Sequence, residues 1–290
     1  MNQPRLLDGA HASPAVGWAP TLRHPFVRRA ATVISVIYLI WVWQFVVAAG
    51  SHVDADAYRL VDPTNPYTIG RAGAEHAFLY APVVAQLLAF VSWVPADAFY
   101  AGLAAISLGS LVYLVGPRWA GAALLIPLPP LWQDLLTGNI HLILAAAVVL
   151  GFRHPAAWCM VLLTKVTPGI GLAWFAVRQE WRALGIALVA TLAAILLSVL
   201  VAPRLWGEWL ELLATNSTGS PQGLYVPVPL ALRLVVALVL VIWGARGNHR
   251  WTVPAAAFLA LPIIWLYDGL AVLAGVAGVL YRMRPSAIDR

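Results

Sequence analysis

The sequence predicts an all-α polytopic transmembrane helix bundle, on three observations. The chain of 290 residues is 61% hydrophobic and only 10% charged, whereas soluble domains run nearer half apolar and a quarter charged. Its apolar residues fall into runs near the roughly 17–25 residues that a span requires. Its Arg residues gather in short clusters between those runs, where orientation signals belong. A water-soluble fold could not hide this much apolar surface, so lipid is the expected solvent. The apolar content suffices for about eight to ten spans, some of them short, in a single domain.

The elements follow in order. Residues 1–29 are polar and end in Arg23, His24, Arg28 and Arg29, which reads as a cytoplasmic tail by the positive-inside rule. No small-residue cleavage site follows cleanly, so no cleavable signal peptide is expected. Residues 30–281 form the expected transmembrane domain, beginning with a span at 30–49. The longest polar insert, 50–77, comes next and falls outside the membrane after one crossing; structureless loops longer than about 12–15 residues are usually functional or disordered. Apolar runs at 78–94, 98–115, 120–136, 140–152 and 156–177 lead to the basic segment 178–182. A span at 183–201, a second external insert at 202–225 (with Arg204, Glu208, Glu211, Ser217 and Gln222) and a span at 226–244 lead to the basic segment 246–250. The run 251–281 is too long for one simple helix, and Pro262 and Asp268 break it into two short pieces. The tail, 282–290, carries Arg282, Arg284 and Arg290. This topology puts each basic cluster inside; Arg118 and Arg153 are single exceptions. A plasma-membrane, multi-pass location is expected.

Composition excludes several classes. The net charge of +6 is spent on orientation, so no nucleic-acid partner is expected. The one cysteine, Cys159, lies in an apolar run and allows no intrachain disulfide. There is no GxGxxG or Walker loop, HExxH or CxxC pair, and the seven His residues do not cluster at metal-ligand spacing. No cofactor and no metal is expected.

Ionisable residues inside or beside the apolar runs carry the candidate chemistry. Asp54 and Asp56 follow the first span, at the membrane–water boundary, where a lipid-phosphate headgroup and a hydrophilic acceptor can meet. Transfer from a sugar phosphate to an alcohol needs a base for the hydroxyl proton and cationic donors for the departing phosphate; Arg59 and Arg71 suit the second role because guanidinium matches phosphate bidentately. The bland reading is that both aspartates keep a loop solvated. Glu75 to Pro82 closes the insert, with Tyr80 at the interface and Pro82 in a first helical turn. Asp134, Asn139 and His141 interrupt two runs and are costly in hydrocarbon unless paired or hydrated; a short exposed connection is the alternative. Lys165 sits mid-run, at a cost of roughly 2.5–3.5 kcal/mol, with Pro168 expected to kink its helix. Asp268, after Tyr267, lies where the last two short pieces meet, on the same side as Asp54. A plain turn would also account for it.

Taken in order, Asp54…Tyr58, Asn65-Pro66-Tyr67, Tyr80-Ala81-Pro82, Gly138-Asn139, Lys165-Val-Thr-Pro168 with Arg178-Gln-Glu-Trp-Arg-Ala183, and Leu261-Pro-Ile-Ile-Trp265 resemble glycosyltransferase family 87, the polyprenol-phosphate-mannose-dependent α-mannosyltransferases with the GT-C membrane fold. The resemblance covers about residues 30–281. It implies an inverting transfer of a hexose, mannose-like, on the external face. A polyprenyl-phosphate sugar donates, a glycolipid or glycan hydroxyl accepts, and a loop Asp is the base. By position Asp54 matches that Asp, with Asp56 the fallback, and Tyr58 matches the following Tyr. The chain departs from the family at Ala81, where Pro is common, at His141, where Asn is common, and at Tyr267 and Asp268, where His residues are usual.

Two further readings use the same residues. A lipid-linked-saccharide flippase or other transporter would line a path with Asp134, His141, Lys165 and Asp268 around the bilayer midplane. A non-catalytic membrane subunit would lack an enclosed polar site. An enzyme gathers Asp54, Asp268 and Arg71 around one pocket.

Overall fold

The computed structural model describes residues 24–126, 128–218 and 224–283. The flank residue Arg23, the loop residue Gln222 and the tail residues Arg284 and Arg290 lie outside them. The chain is an all-α polytopic membrane protein; of the described residues 73% are helical, in 14 α-helices and short 3-10 turns. Three of these are long and apolar enough to cross a membrane singly: α1 (Pro25–Ala49), α4 (Ala96–Val115) and α10 (Trp181–Val201). Their exposed surfaces are rows of Val, Ile, Leu and Trp, such as Leu188, Val189, Leu192 and Leu196 on α10. Only lipid covers apolar area of that extent without penalty.

The remaining runs are broken, and each break has a local cause. Between α1 and α4 lie two short helices, α2 (Val53–Arg59) and α3 (Pro82–Ala89). The run expected at 120–136 divides into α5 (Pro117–Leu125) and α6 (Pro129–Thr137), each with proline in its first turn, where the missing N–H costs nothing. Then α6 ends at Gly138 in the left-handed region, φ 72°, and the chain turns by 104° into α7 (His141–Leu150). The run 156–177 separates into α8 (Trp158–Thr164), a 3-10 segment Thr167–Leu172 and α9 (Ala173–Val177). This break falls at Lys165, which is extended, three residues ahead of the proline that sequence marks as the kink. The second polar insert is itself a helix, α11 (Pro203–Thr218), whose Leu205, Trp209 and Leu212 are buried at the i, i+4, i+7 spacing of one face. It is followed by α12 (Leu230–Arg246) and α13 (Thr252–Leu259). A 3-10 turn, Gly269–Leu273, then enters α14 (Ala274–Arg282).

The centre of the bundle is α7, with Leu142, Leu144, Ala145, Val148 and Val149 wholly enclosed. A helix apolar all round belongs in the interior. On one side α1, α4, α5 and α6 share a core through Leu39, Val42, Leu111, Leu124 and Leu135. On the other, α7, α8, α12 and α13 pack around Trp158, Trp174 and Phe175. The two polar inserts meet: Asn216 of α11 donates to Gly70 O (2.7 Å) and accepts from Ala72 N–H (2.8 Å), and Arg204 donates to Thr64 O at 3.0 Å.

Asp268 is placed by an arrangement invisible in the sequence. Residues after α13 leave helical geometry, so their carbonyls need donors. Arg233 of α12 supplies them, bonding Leu259 O, Leu261 O and Pro262 O at 2.6–2.9 Å, and also Val228 O just before its own helix at 3.0 Å, while only 6% exposed. Beyond them Trp265 forms an antiparallel bridge with Tyr225, the one extended pairing among the described residues. Arg233→Met keeps much of the side-chain volume and removes every donor. It is expected to lower unfolding stability in detergent by about 2 kcal/mol or more, since orphaned buried carbonyls cost ~1–3 kcal/mol each; thermal unfolding of the purified variant measures this.

Candidate active site

The site forms where α2, the α6–α7 turn, the end of α8 and the segment before the 3-10 turn at Gly269 converge. Helix α2 is too short to persist alone. It is held by burying Ala55, Ala57 and Tyr58. Its contact with the α6–α7 turn requires glycine twice over. Gly138 needs positive φ, and a Cβ there would lie 2.6 Å from Ala55 Cβ. This close approach brings Asp54 inward, to the Thr137 hydroxyl and to Asn139.

Asn139 is the junction. Its Nδ2 donates to Asp54 Oδ2 at 3.1 Å and to Asp268 Oδ2 at 3.0 Å. Its Oδ1 accepts the Ile140 backbone N–H at 2.8 Å, which fixes the amide orientation. One primary amide thus links carboxylates 214 positions apart in sequence, Asp54 and Asp268.

Asp134 has a different task. It accepts N–H bonds from the backbones of His141 (3.2 Å) and Leu142 (3.1 Å) and from His141 Nδ1 (3.0 Å). From α6 it therefore caps the N-terminus of α7, whose first N–H groups have no helical partner. Lys165 Nζ lies 3.0 Å from His141 Nε2. An ammonium only donates, so Nε2 accepts and Nδ1 carries the proton given to Asp134. The series Lys165–His141–Asp134 is thereby oriented end to end. The extended backbone at Lys165 lets its side chain leave the helix line and enter the cluster. Asp134, His141 and Asp268 are fully enclosed and Asn139 is 5% exposed. Asp268 Oδ1 is buried without a hydrogen-bond partner.

The aromatic wall is Tyr58 and Tyr80, whose hydroxyls are 2.9 Å apart, with Tyr67 donating to the Tyr80 carbonyl. Tyr267 stacks on Trp265 with centroids 5.8 Å apart and is 38% exposed beside Asp268.

Three of the sequence candidates lie elsewhere. Asp56, on the opposite side of α2 from Asp54, accepts a hydrogen bond from Tyr100 of α4 and pairs with Arg59 at 3.6 Å. The Tyr100 ring in turn stacks on His52, centroids 4.0 Å and planes 6° apart. Asp56 and Arg59 thus anchor α2 to α4 and do not join the cluster. Arg71 is exposed, because its segment is clasped to α11 by Asn216. The grouping expected of Asp54, Asp268 and Arg71 therefore holds the two carboxylates, bridged by Asn139, without that arginine; Lys165 is the cation in its place. Sequence reading passed over Tyr100, which resembles any interfacial tyrosine at the start of a span.

Spacing in the sequence conceals one grouping. Ligand atoms of Asp134, His141 and Asp268 all lie within 4.8 Å of one another, a donor set of the kind divalent metals accept. These atoms are largely engaged: Asp134 takes three N–H donors, His141 is held between Asp134 and Lys165, and Asp268 takes Asn139. Such a network orients charged groups in a low-dielectric interior.

Burial raises the basicity of Asp54 above that of an ordinary carboxylate, the Thr137 hydroxyl, the Lys165 charge and the Asn139 amide opposing it. A carboxylate that is more basic than usual suits proton abstraction.

The family model for glycosyltransferase family 87 matches residues 78–289. The chain belongs to glycosyltransferase family 87. No curated protein and no solved structure gives a significant match. The matched region contains Asn139, His141, Lys165 and Asp268; Asp54 and α2 precede it. This member of the family is a membrane glycosyltransferase.

If α2 is held in register by Tyr100, Tyr100→Phe and Asp56→Asn should each lower the rate of sugar transfer about tenfold or more, since small misplacements of a reacting group carry costs of that order. The double variant should be no worse than the poorer single one. Turnover per folded protein, measured in reconstituted membranes, gives the result.

Proposed function

We propose that the chain moves a hexose, mannose-like, from a polyprenyl-phosphate donor to a hydroxyl of a glycolipid or glycan on the external face of the plasma membrane, with Asp54 as the general base. The observation that carries this reading is the placement of Asp54. It is packed inward on Asn139, in one group with Asp268, Lys165 and His141.

The step divides among these side chains. Asp54 accepts the acceptor's hydroxyl proton as its oxygen bonds to the sugar's anomeric carbon. The bond from that carbon to the phosphate oxygen breaks, and polyprenyl phosphate leaves with the electron pair. Attack opposite the leaving group inverts the anomeric centre. Lys165, aimed by His141, offers a positive charge against the negative charge that the phosphate gains on departure. Asn139 holds Asp54 in one rotamer, so little reorganisation is needed during transfer. Asp268 draws Asn139 from the other side, and Tyr58, Tyr80 and Tyr267 offer ring faces and hydroxyls to the sugar.

Asp54→Asn should reduce transfer to background in a membrane assay supplied with a polyprenyl-phosphate hexose, with expression and insertion unchanged. Full activity in that variant would remove Asp54 as the base. The pH dependence has a definite sign. Asp54 acts ionised, and burial raises its pKa, so activity is present at higher pH and lost as pH falls through the raised value. The acid limb of kcat/KM should therefore lie above the roughly 3.9 of free aspartate. A profile that stays flat down to that value would contradict the assignment.

A further inference from the structure

The end of the bundle away from the candidate active site collects arginines. Helix α7 begins at His141, in the buried cluster, and ends at Leu150, about 14 Å farther along at 1.5 Å per residue. Arg153 and His154 follow it, their N–H groups bonded to Leu150 O at 2.9 Å and their side chains exposed. Arg282 of α14 stands over the Tyr113 ring, 3.9 Å from its centroid, and donates to Tyr113 O. Arg250 lies 5.8 Å from the Phe152 ring centroid, and Tyr113, Phe152, Trp251 and Met283 pack in one cluster. Arg118 comes two residues after Gly116, which abuts Tyr281.

Counting each apolar run as one crossing sets Arg118 and Arg153 on the face opposite the other arginines. The structure brings them to the same end, because the chain bends by 104° between α6 and α7 and returns. Among the described residues the one carboxylate at this end is Glu180, already held by Arg178 at 2.7 Å. Arg153, Arg250 and Arg282 have no carboxylate partner among those residues. Three guanidinium groups without a counter-charge at a membrane surface call for an anion from outside the chain.

An apolar groove of about 350 Å³ on the bundle surface ends among them. It lies between α4 and the α7–α8 pair, and its near end is lined by Tyr113, Leu150 and Ala157. Tyr113 carries Arg282 on its ring, and Leu150 and Ala157 bracket Arg153 and His154 in sequence. Farther along, the protein leaves the groove open: a Cβ added at Gly109 would meet nothing within 4 Å. Apolar walls alone select nothing in a bilayer, where lipid chains are as apolar as the helices. The charge at one end supplies the selection.

We propose that this groove is a binding site for an anionic phospholipid of the leaflet on the arginine-rich side. One acyl chain lies between α4 and α7, and the headgroup phosphate sits among Arg153, Arg250 and Arg282. The second chain stays in the bilayer. The site stands apart from sugar transfer, since its charged end is the end of α7 remote from Asp54, Asn139 and Lys165. A lipid held there ties together α4, α7 and α14.

The test is native mass spectrometry of the purified full chain, with dioleoyl phosphatidylglycerol or dioleoyl phosphatidylcholine added at equal concentration. The unmodified protein is expected to retain phosphatidylglycerol about fivefold or more above phosphatidylcholine. The double variant Arg153→Gln, Arg250→Gln should bring the first down to the level of the second. Gly109→Leu fills the groove and should lower phosphatidylglycerol retention about fivefold. Ala105→Leu narrows only a second groove, between α1 and α4, which shares Gly109, and should leave retention unchanged. Equal retention of the two lipids by the unmodified protein overturns the proposal without recourse to any variant. Phosphatidylglycerol binding that survives the double arginine change, that survives G109L, or that falls as far in A105L as in G109L also overturns it.

Discussion

Charged side chains survive in an apolar bundle only where each finds a partner, and the turn between α6 and α7 is where this protein concentrates the pairing. Gly138 ends one helix in a conformation that other residues resist, and within four positions the chain presents Asn139 and His141. Asp134, one turn earlier, caps the helix that the turn begins. Lys165 and Asp268 arrive from distant segments and attach to that scaffold. Without the turn, three carboxylates and an ammonium would be left to be hydrated in a place where water is scarce.

The helices around the turn are broken for the same reason. Continuous helices satisfy their own backbone but present side chains only at fixed angles. The extended residue at Lys165, the irregular stretch after α13 and the short helix α2 each aim one polar group inward. Each break leaves backbone groups to satisfy, and the protein does so with specific side chains. Arg233 serves the carbonyls after α13, Asp134 the amides of α7, and Asn216 the loop beside α11. The polar residues of this chain thus divide into those that repair broken helices and those that the repairs position. A transport path strung along the membrane normal is a poorer description of the cluster than a single walled site, because its members bond to one another and not in succession along a channel.

His141 supplies two ring nitrogens and so joins Lys165 to Asp134 in a way an amide of that length does not. Asp268 faces Asn139 and leaves one oxygen buried and unpartnered.

Composition alone determined that this is a helical membrane protein, because apolar content on this scale has no other solvent. Local sequence also marked most of the buried polar cluster: Asp54, Asn139, His141, Lys165 and Asp268 were legible because a polar residue in or beside an apolar run is costly and so needs a reason. The order of motifs pointed to the family, and the family model matches the chain from residue 78 onward. Tertiary structure decided the rest. Asp54 and Asp56 are two residues apart and equally acidic in sequence; only the packing of Ala55 on Gly138 turns one inward and leaves the other for Tyr100. Arg71 reads as a phosphate ligand until Asn216 clasps its loop against α11. Arg233 carries no distinct signal in the sequence, and its role appears only when the carbonyls of another segment fold over it. Sequence reports the cost of burying each group, which is local, but the partner that offsets the cost comes from afar and is known only once the chain has folded.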